Sequence, residues 1–453
     1  MKRTIRFLPF AALILLGMNM CWHPLLNILD PEYQGIIYVS ESGSRLNSGL
    51  QPTRPMKSIS EAVDKAKSIG GTQVRVAQGE YEGGVNLHPG VSLLGGYAPD
   101  FSVRDWDLYE SRIAGNETPD SYEGGIFVSG SDVTKDVVVE GLTFDFHVSG
   151  TPIESWHSYS VIGLCDGASP TIRNNRIRLH TGVGTNLSNP DWRFDVRGIG
   201  IHDYTSDSAF FDLVISNNDI WVKADGSPHR ACGILIGPLS EGSHAMIEAN
   251  RVVLKTYDNH TTGSSAAIAA QYQPHGVVLK NNVVRMRNES GDGGWGVDLD
   301  AVGAVVANNT IVCDGPIFGG LRSSDSSAAG AQVVNNILAC DGSGTAVTGN
   351  SADYCDYNLF FNFTTWFSGG ITGGGHSDTL SGVNFTEVFS SSLDGSVDDG
   401  DDTDYHLYDP AAIFAVDLGT NTNVAQYGDV AVDFEGDSRP QSAAFDRGAD
   451  EKT

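Results

Sequence analysis

The chain has 453 residues and a net charge of −28 at neutral pH, and charged residues make up 19% of it. This balance argues against a nucleic-acid partner, because phosphate contacts need an excess of lysine and arginine. The 54 glycines, together with many valine, isoleucine, asparagine and aspartate residues, favour strands and turns over helices.

The N-terminus has the pattern of an export segment, residues 1–21. Three basic residues precede an apolar run at 7–18 that ends close to Cys21. We expect Cys21 to carry a lipid, with simple secretion or an uncleaved anchor as alternatives. The chain is therefore expected to be an exported lipoprotein of the bacterial outer membrane or cell surface, or else a secreted protein. A lipid anchor would be its only link to the membrane.

One helix is predicted, over residues 57–69. Ser58 and Glu61 have the spacing of a capping box, an apolar stripe comes next, and Gly70 with its glycine neighbour ends the helix. Residues 22–122 are expected to hold N-terminal strands and this helix, which would cap the first coil of a solenoid.

A short pattern recurs along the middle of the chain: an apolar run, an asparagine, and an apolar pair. Its marker positions are Gly141, Asn175, Asn218, Asn250, Asn282, Asn309, Asn336 and Asn358. The last step, from Asn336 to Asn358, is 22 residues, whereas earlier steps are longer. A spacing that has a fixed minimum and is lengthened by insertions is typical of a solenoid whose loops vary in length.

The pieces between turns are too short for helices, so the predicted fold is all-β. We expect a single-stranded right-handed parallel β-helix over residues 123–394, with about eight to ten coils. The recurring asparagine would adopt a left-handed turn conformation and also hydrogen-bond along a ladder from coil to coil. Residues 395–453 break the period and are expected to form an irregular C-terminal cap.

A family resemblance supports this fold. Residues 36–101, with Tyr38-Val39-Ser40, Gly79-Glu80-Tyr81 and Gly95-Gly96-Tyr97 as landmarks, resemble the N-terminal segment of bacterial right-handed parallel β-helix surface proteins of the DUF1565/pectin-lyase-fold type. Residues 404–407 and 436–451 resemble the closing motif of the same proteins. The resemblance implies the fold but no particular activity, because this fold hosts lyases, hydrolases, esterases, epimerases and binding proteins.

Candidate catalytic residues come from the short runs upstream of each marker. Aligning these runs by their last residue places Gln271, Asp300 and Arg322 in one outward row, with Asp298 in the next row. A carboxylate pair beside an arginine suits acid–base chemistry on an acidic sugar or Ca²⁺-bridged uronate binding. The alternative is an ordinary surface ion pair. His202 is a weaker candidate, because it lies two or three coils from Asp300.

Long insertions early in the repeat carry a second set of candidates, for substrate binding. They contain Trp156, Asp191, Trp192 and Arg193. Tryptophan faces pack on sugar rings, and flanking charged groups bind hydroxyls. Together with Arg322, these residues would form a contact region for polysaccharide. Alternatively, the aromatic side chains only hold their own loops in place.

Two further features bear on metal and redox chemistry. Asp398, Asp399, Asp401 and Asp402 can bind Ca²⁺ through clustered carboxylates, the alternative being a solvated acidic turn. Cys313 and Cys340 occupy equivalent positions in successive coils, so they are candidates for a disulfide or for a stacked row of reduced thiols.

The leading expectation is an exported surface protein that binds polysaccharide or a cell-envelope glycan, or serves a structural role, as a monomer. The first alternative is a polysaccharide lyase or glycoside hydrolase that uses Asp298, Asp300 and His202. The second is an adhesin or spacer that contacts protein. The sequence leaves open whether the chain is an enzyme.

Overall fold

The computed structural model describes residues 34–118, 123–150, 157–183, 194–201, 210–225, 229–257, 265–289, 293–324, 330–341, 344–371, 373–381, 389, 415, 418–420, 433–435, 437–439 and 446–449. The predicted export segment and its Cys21 lie outside these residues. Within them, no helix combines the length and apolar character needed to cross a membrane.

The described strands form three parallel sheets. Sheet 1 contains β1 Ile36–Val39, β2 Gln73–Ala77, β5 Ser92–Tyr97, β8 Val138–Glu140, β11 Thr171–Arg173, β14 Asp212–Ser216, β17 His244–Glu248, β20 Val277–Lys280, β23 Val305–Ala307, β26 Gln332–Val334 and β29 Tyr354–Asp356. Sheet 2 contains β3 Gly79–Glu82, β6 Ser111–Glu117, β9 Thr143–Gly150, β12 Arg176–Val183, β15 Asp219–Ala224, β18 Arg251–Thr256, β21 Val283–Asn288, β24 Thr310–Asp314, β27 Ile337–Cys340, β30 Leu359–Phe361 and β32 Asp378–Leu380. Sheet 3 contains β4 Val85–Leu87, β7 Glu123–Ser129, β10 His157–Cys165, β13 Phe194–Ile201, β16 Arg230–Ile236, β19 Ser265–Ala270, β22 Gly294–Leu299, β25 Gly319–Ser323, β28 Thr345–Thr348 and β31 Thr365–Ser368.

Each coil passes through sheet 1, sheet 2 and sheet 3 in turn, and each strand pairs in parallel with its equivalent one coil away. This is the predicted right-handed parallel β-helix, and right-handed is the hand of nearly all parallel crossovers. Alternate side chains point inward, so one continuous apolar core runs through the solenoid. Within residues 123–394 each sheet contains eight or nine described strands, in agreement with the predicted eight to ten coils, and the earlier strands extend the same sheets toward the N-terminus.

The predicted helix, α1, spans Ile59–Ile69. The Ser58 hydroxyl accepts the Glu61 N–H at 3.3 Å, and Gly70 ends the helix with a φ of 70°. The buried face of α1 joins the core and packs against β1, β2 and β4, which begin sheets 1 and 3. The helix therefore covers the open strand edges of the first coil, as the sequence predicted.

The asparagine pairs divide two tasks that the sequence analysis gave to one residue. The first member of each pair takes the left-handed backbone, as at Asn217 with a φ of 53°. The second member forms the ladder: the buried amide of Asn218 donates to Oδ1 of Asn250 at 3.0 Å and accepts from the amide of Asn175 at 3.1 Å. The chain of amides continues to Asn358.

One marker was assigned wrongly. Glu140 pairs with Arg173, so Gly141 is equivalent to Asn174 and takes the same left-handed turn, with a φ of 71°. The ladder position in that coil is Leu142, whose N–H donates to Oδ1 of Asn175 at 3.1 Å. The ladder thus ends on a backbone donor where an apolar side chain replaces asparagine.

The described parts of the C-terminal segment lie along the outside of the last coils. Asn335 donates its side-chain amide to the Thr420 carbonyl at 2.9 Å and accepts the Thr420 N–H at 2.8 Å. The Gly448 N–H donates to the Asn335 carbonyl at 2.7 Å. Phe389, which precedes this segment, packs on the outward side chains of sheet 2, among them Phe361, and Ala415 and Ala449 join the same cluster. These described residues therefore cover an apolar outer face of sheet 2.

Candidate functional site

Every long strand of sheet 3 bends at the same place. Cys232 pairs with Ala266 and Ile234 with Ile268, but the residues between them form no pair. The same gap repeats from coil to coil. The residues in this row are Val161, Gly198, Gly233, Ala267, Gly296, Gly320, Ala346 and Trp366.

The bend makes the outer face of sheet 3 concave. Ala267 and Ile268 both belong to the core, so the inside–outside alternation is interrupted. The flanking Ala266 and Ala269 both point outward and join a separate cluster with Trp295. Outward side chains on either side of the bend therefore approach one another, and a groove runs along the row.

A cleft of about 210 Å³ lies on this concave face. Its walls come from four successive coils and combine charged, amide, hydroxyl and aromatic groups. The lining residues are Arg230, Gln271, Tyr272, Asp298, Asp300, Arg322 and Ser324. The bend brings Arg230, the first residue of β16, into hydrogen-bond contact with Gln271, which comes directly after the last residue of β19.

Arg322 is held on two sides. Its Nε and Nη2 donate to the two carboxylate oxygens of Asp298 at 2.6 and 2.5 Å, and its guanidinium lies 5.4 Å from the centre of the Trp295 ring. Asp298 is only 2% exposed. The two-point contact and the aromatic face fix the arginine in one orientation.

The predicted row assignment of Arg322 was wrong by two residues. Arg322 pairs in register with Asp298, not with Asp300. The run that ends at Arg322 was aligned by its last residue, but β25 continues one residue further to Ser323. The arginine therefore neutralises the buried carboxylate and leaves Asp300 beside it.

Asp300 and Tyr272 form the accessible part of the cleft. The Asp300 N–H donates to the Ala270 carbonyl at 2.7 Å, and the Asp300 carboxylate has no hydrogen-bond or ion-pair partner among the described residues. Tyr272 is 61% exposed and takes a φ of 67°, and Gln273 comes next with a φ of 55°. Such strained turns are concentrated at functional sites.

A partly buried charged cluster lies beyond Arg230. The Asp195 carboxylate contacts Arg197 at 3.2 Å, His229 at 3.1 Å and Arg230 at 3.9 Å. Burial alone raises the pKa of Asp195, but the His229 hydrogen bond and the two arginine charges outweigh it and lower the pKa to about 2. Asp195 is therefore ionised at neutral pH and compensates the positive charge behind the cleft.

The structure brings together three of the predicted site residues, Asp298, Asp300 and Arg322. The other candidates lie outside the described residues: Trp156, Asp191, Trp192, Arg193, His202, Asp398, Asp399, Asp401 and Asp402. Within the described part of the chain, no three possible metal-ligating side chains cluster. Calcium therefore remains a prediction.

Sequence reasoning missed Tyr272, Arg230 and Asp195. Tyr272 sits in the short stretch QYQP directly after the aligned row, so it could have been found as an aromatic residue at a turn. Arg230 and Asp195 lie at the starts of their strands. The bend in sheet 3 brings residues at the beginning of one strand close to residues at the end of another. No residue pattern in the sequence indicated this bend.

Cys313 and Cys340 are register partners on β24 and β27. Both side chains are buried, no disulfide joins them in the structure, and burial raises the pKa of Cys313. A buried neutral thiol is poorly reactive. The disulfide remains a prediction.

Comparison with known proteins supports the fold. No protein-family model matches the chain, so the resemblance to the DUF1565 group is not confirmed. No curated protein matches either. Among solved structures, the crystal structure of pectate lyase Pel9A is similar with a TM-score of 0.50 and 14% identity, over 92% of this chain and 96% of that one. At this identity the likeness establishes the parallel β-helix architecture and no more.

Proposed function

We propose that this chain binds a polysaccharide in the cleft on the concave face of sheet 3. The observation that carries the proposal is the pairing of an exposed aromatic ring, Tyr272, with the accessible carboxylate of Asp300 in one cleft. Sugar rings present C–H faces that pack on aromatic rings and hydroxyls that donate to carboxylates.

The rigid floor of the cleft supports binding. Arg322 is fixed by Asp298 and Trp295, and Arg230 contacts Gln271 and lies near Asp195. Groups that are already ordered lose little entropy when a ligand arrives. In chain order, the segments with Trp156 and Trp192 connect strands of sheet 2 to strands of sheet 3. The proposal includes contacts between these segments and the same ligand.

Polysaccharide cleavage is the second candidate. It is favoured by two carboxylates and two arginines around one cleft. Asp298 is bound at both oxygens by Arg322, which suits a positioning role. Asp300 would be the proton acceptor or donor, because no described residue occupies its carboxylate.

Export as a lipoprotein or secreted protein remains a proposal that rests on the sequence of residues 1–21.

Affinity electrophoresis of the full-length chain tests binding. Gels would contain xylan, galactomannan, hydroxyethyl cellulose, polygalacturonate or alginate. At least one polymer should retard the wild type, and Tyr272→Ala should abolish that retardation. Phe210→Ala is the matched control, because Phe210 is also an exposed aromatic side chain, at 59%. If no polymer retards the protein, the proposal fails and the adhesin or spacer hypothesis gains support.

Reducing-end release from the same polymers, with and without Ca²⁺, tests cleavage. Release that disappears in Asp300→Asn would establish the second candidate. Retardation without release of reducing ends would mean that the chain binds the polymer and does not cleave it.

A further inference from the structure

We infer that the cleft on sheet 3 selects an uncharged sugar chain rather than a uronate polymer. The inference rests on the proposed function, because it names the class of polysaccharide bound there. It comes from the distribution of charge around the cleft.

The positive charges at the cleft already have carboxylate partners. Asp298 binds Arg322 through both oxygens. Asp195 lies against Arg197 at 3.2 Å and Arg230 at 3.9 Å. A uronate carboxylate would have to compete with these intramolecular carboxylates, and displacing Asp298 would leave its charge buried without compensation.

The accessible charge is negative. The three arginines and three aspartates of the cleft and the cluster behind it balance in number, but Arg197 and Arg230 share Asp195, and the Asp300 carboxylate has no hydrogen-bond or ion-pair partner among the described residues. A uronate beside Asp300 would place two carboxylates together, and the chain's net charge of −28 adds long-range repulsion. An uncharged sugar brings hydroxyl donors to the same oxygens.

A bridging cation would be the way for a uronate to bind here. Calcium takes six to eight oxygen ligands, several of them from protein in stable sites. The described residues of the cleft offer Asp298, already bound on both oxygens, and Asp300. No third carboxylate joins them in the described part of the chain.

Isothermal titration of the full-length chain tests the inference. The ligands are xylohexaose, cellohexaose and mannohexaose as uncharged probes and hexagalacturonate as the acidic one. Each is titrated at about 50 and about 500 mM NaCl, because added salt screens charge–charge attraction. An uncharged probe should bind with a Kd that changes less than about twofold between the two salt concentrations. Hexagalacturonate should not bind, with or without Ca²⁺.

Asp300→Asn provides the residue-level test. It should weaken binding of the uncharged probe about tenfold, because hydroxyl bonds to a charged acceptor are the stronger ones. Asp136→Asn, on an exposed loop, is the control and should leave the Kd unchanged.

Three outcomes would count against the inference. Hexagalacturonate that binds and is weakened by salt would overturn it while leaving the proposed function intact. Calcium-dependent binding of hexagalacturonate would do the same. If none of the four probes binds, the proposed function itself loses its support.

Discussion

Replacing Asn218 with alanine should be among the most damaging single substitutions in the chain. The Asn218 side chain makes four hydrogen bonds: it donates to the Ile172 carbonyl at 2.9 Å and to Asn250 at 3.0 Å, and it accepts from the Asn175 backbone and amide, both at 3.1 Å. It is 2% exposed. At about 1 kcal/mol per bond, with partners left buried and unsatisfied, the loss should be about 4 kcal/mol.

Urea denaturation of the full-length chain, monitored by circular dichroism, gives the change in unfolding free energy. Native-state hydrogen exchange adds a local readout, because the Asn175 N–H donates to the removed oxygen and should lose protection. The adjacent Asn217 offers a matched control: it is exposed and has a φ of 53°, so Asn217→Gly should be nearly neutral. A loss for Asn218→Ala within about 1 kcal/mol of the control would refute the ladder as a stabilising element.

Three further predictions concern single positions. Ala249 has a φ of 51° where neighbouring coils use asparagine, so Ala249→Asn should raise stability by about 1 kcal/mol in urea denaturation, and a decrease would contradict the turn assignment. A Cβ on Gly233 would lie 2.3 Å from Cγ1 of Val252, so Gly233→Ala should cost about 1–3 kcal/mol, and a neutral result would show that the bend is not constrained there. Asp195 has a folded pKa of about 2, below its ordinary 3.8, so its stabilising contribution is present above the ordinary value and is lost as pH falls toward 2. The thermal midpoint of wild type should therefore fall more steeply between about pH 4 and pH 2 than that of Asp195→Asn, and parallel curves would argue against a stabilising ion cluster around Asp195.

The fold could be predicted because it repeats. Each coil has the same inward pattern and the same turn, so an error in one copy is corrected by comparison with the others. The sequence did not predict which residue of a repeat occupies which position in its coil. Asn217 and Asn218 are chemically identical, and only pairing between coils shows that one makes the turn and the other makes the ladder. Gly141 was assigned to the wrong one of these two positions for this reason.

The candidate site was less accessible to sequence reasoning. Asp298 and Asp300 were placed on one face because strand side chains alternate, and that rule holds on one side of the bend. Arg322 was shifted by two residues because the end of β25 could not be read from the sequence. The contacts across the bend, including Arg230 with Gln271, depend on a backbone irregularity that recurs in successive coils of sheet 3. No residue pattern marks it, because Val161 occupies the same row as the glycines and alanines.

Carbodiimide footprinting of carboxylates tests the central claim most directly. Asp300 is partly exposed without a partner among the described residues and should be modified in the free protein, whereas the buried Asp298 should resist. Each uncharged hexasaccharide would be added in turn, and peptides would be quantified by mass spectrometry. The account predicts that at least one of them protects Asp300 and leaves the exposed Asp136 unchanged. Unchanged labelling of Asp300 by a hexasaccharide that demonstrably binds the chain would place the ligand elsewhere and contradict the account.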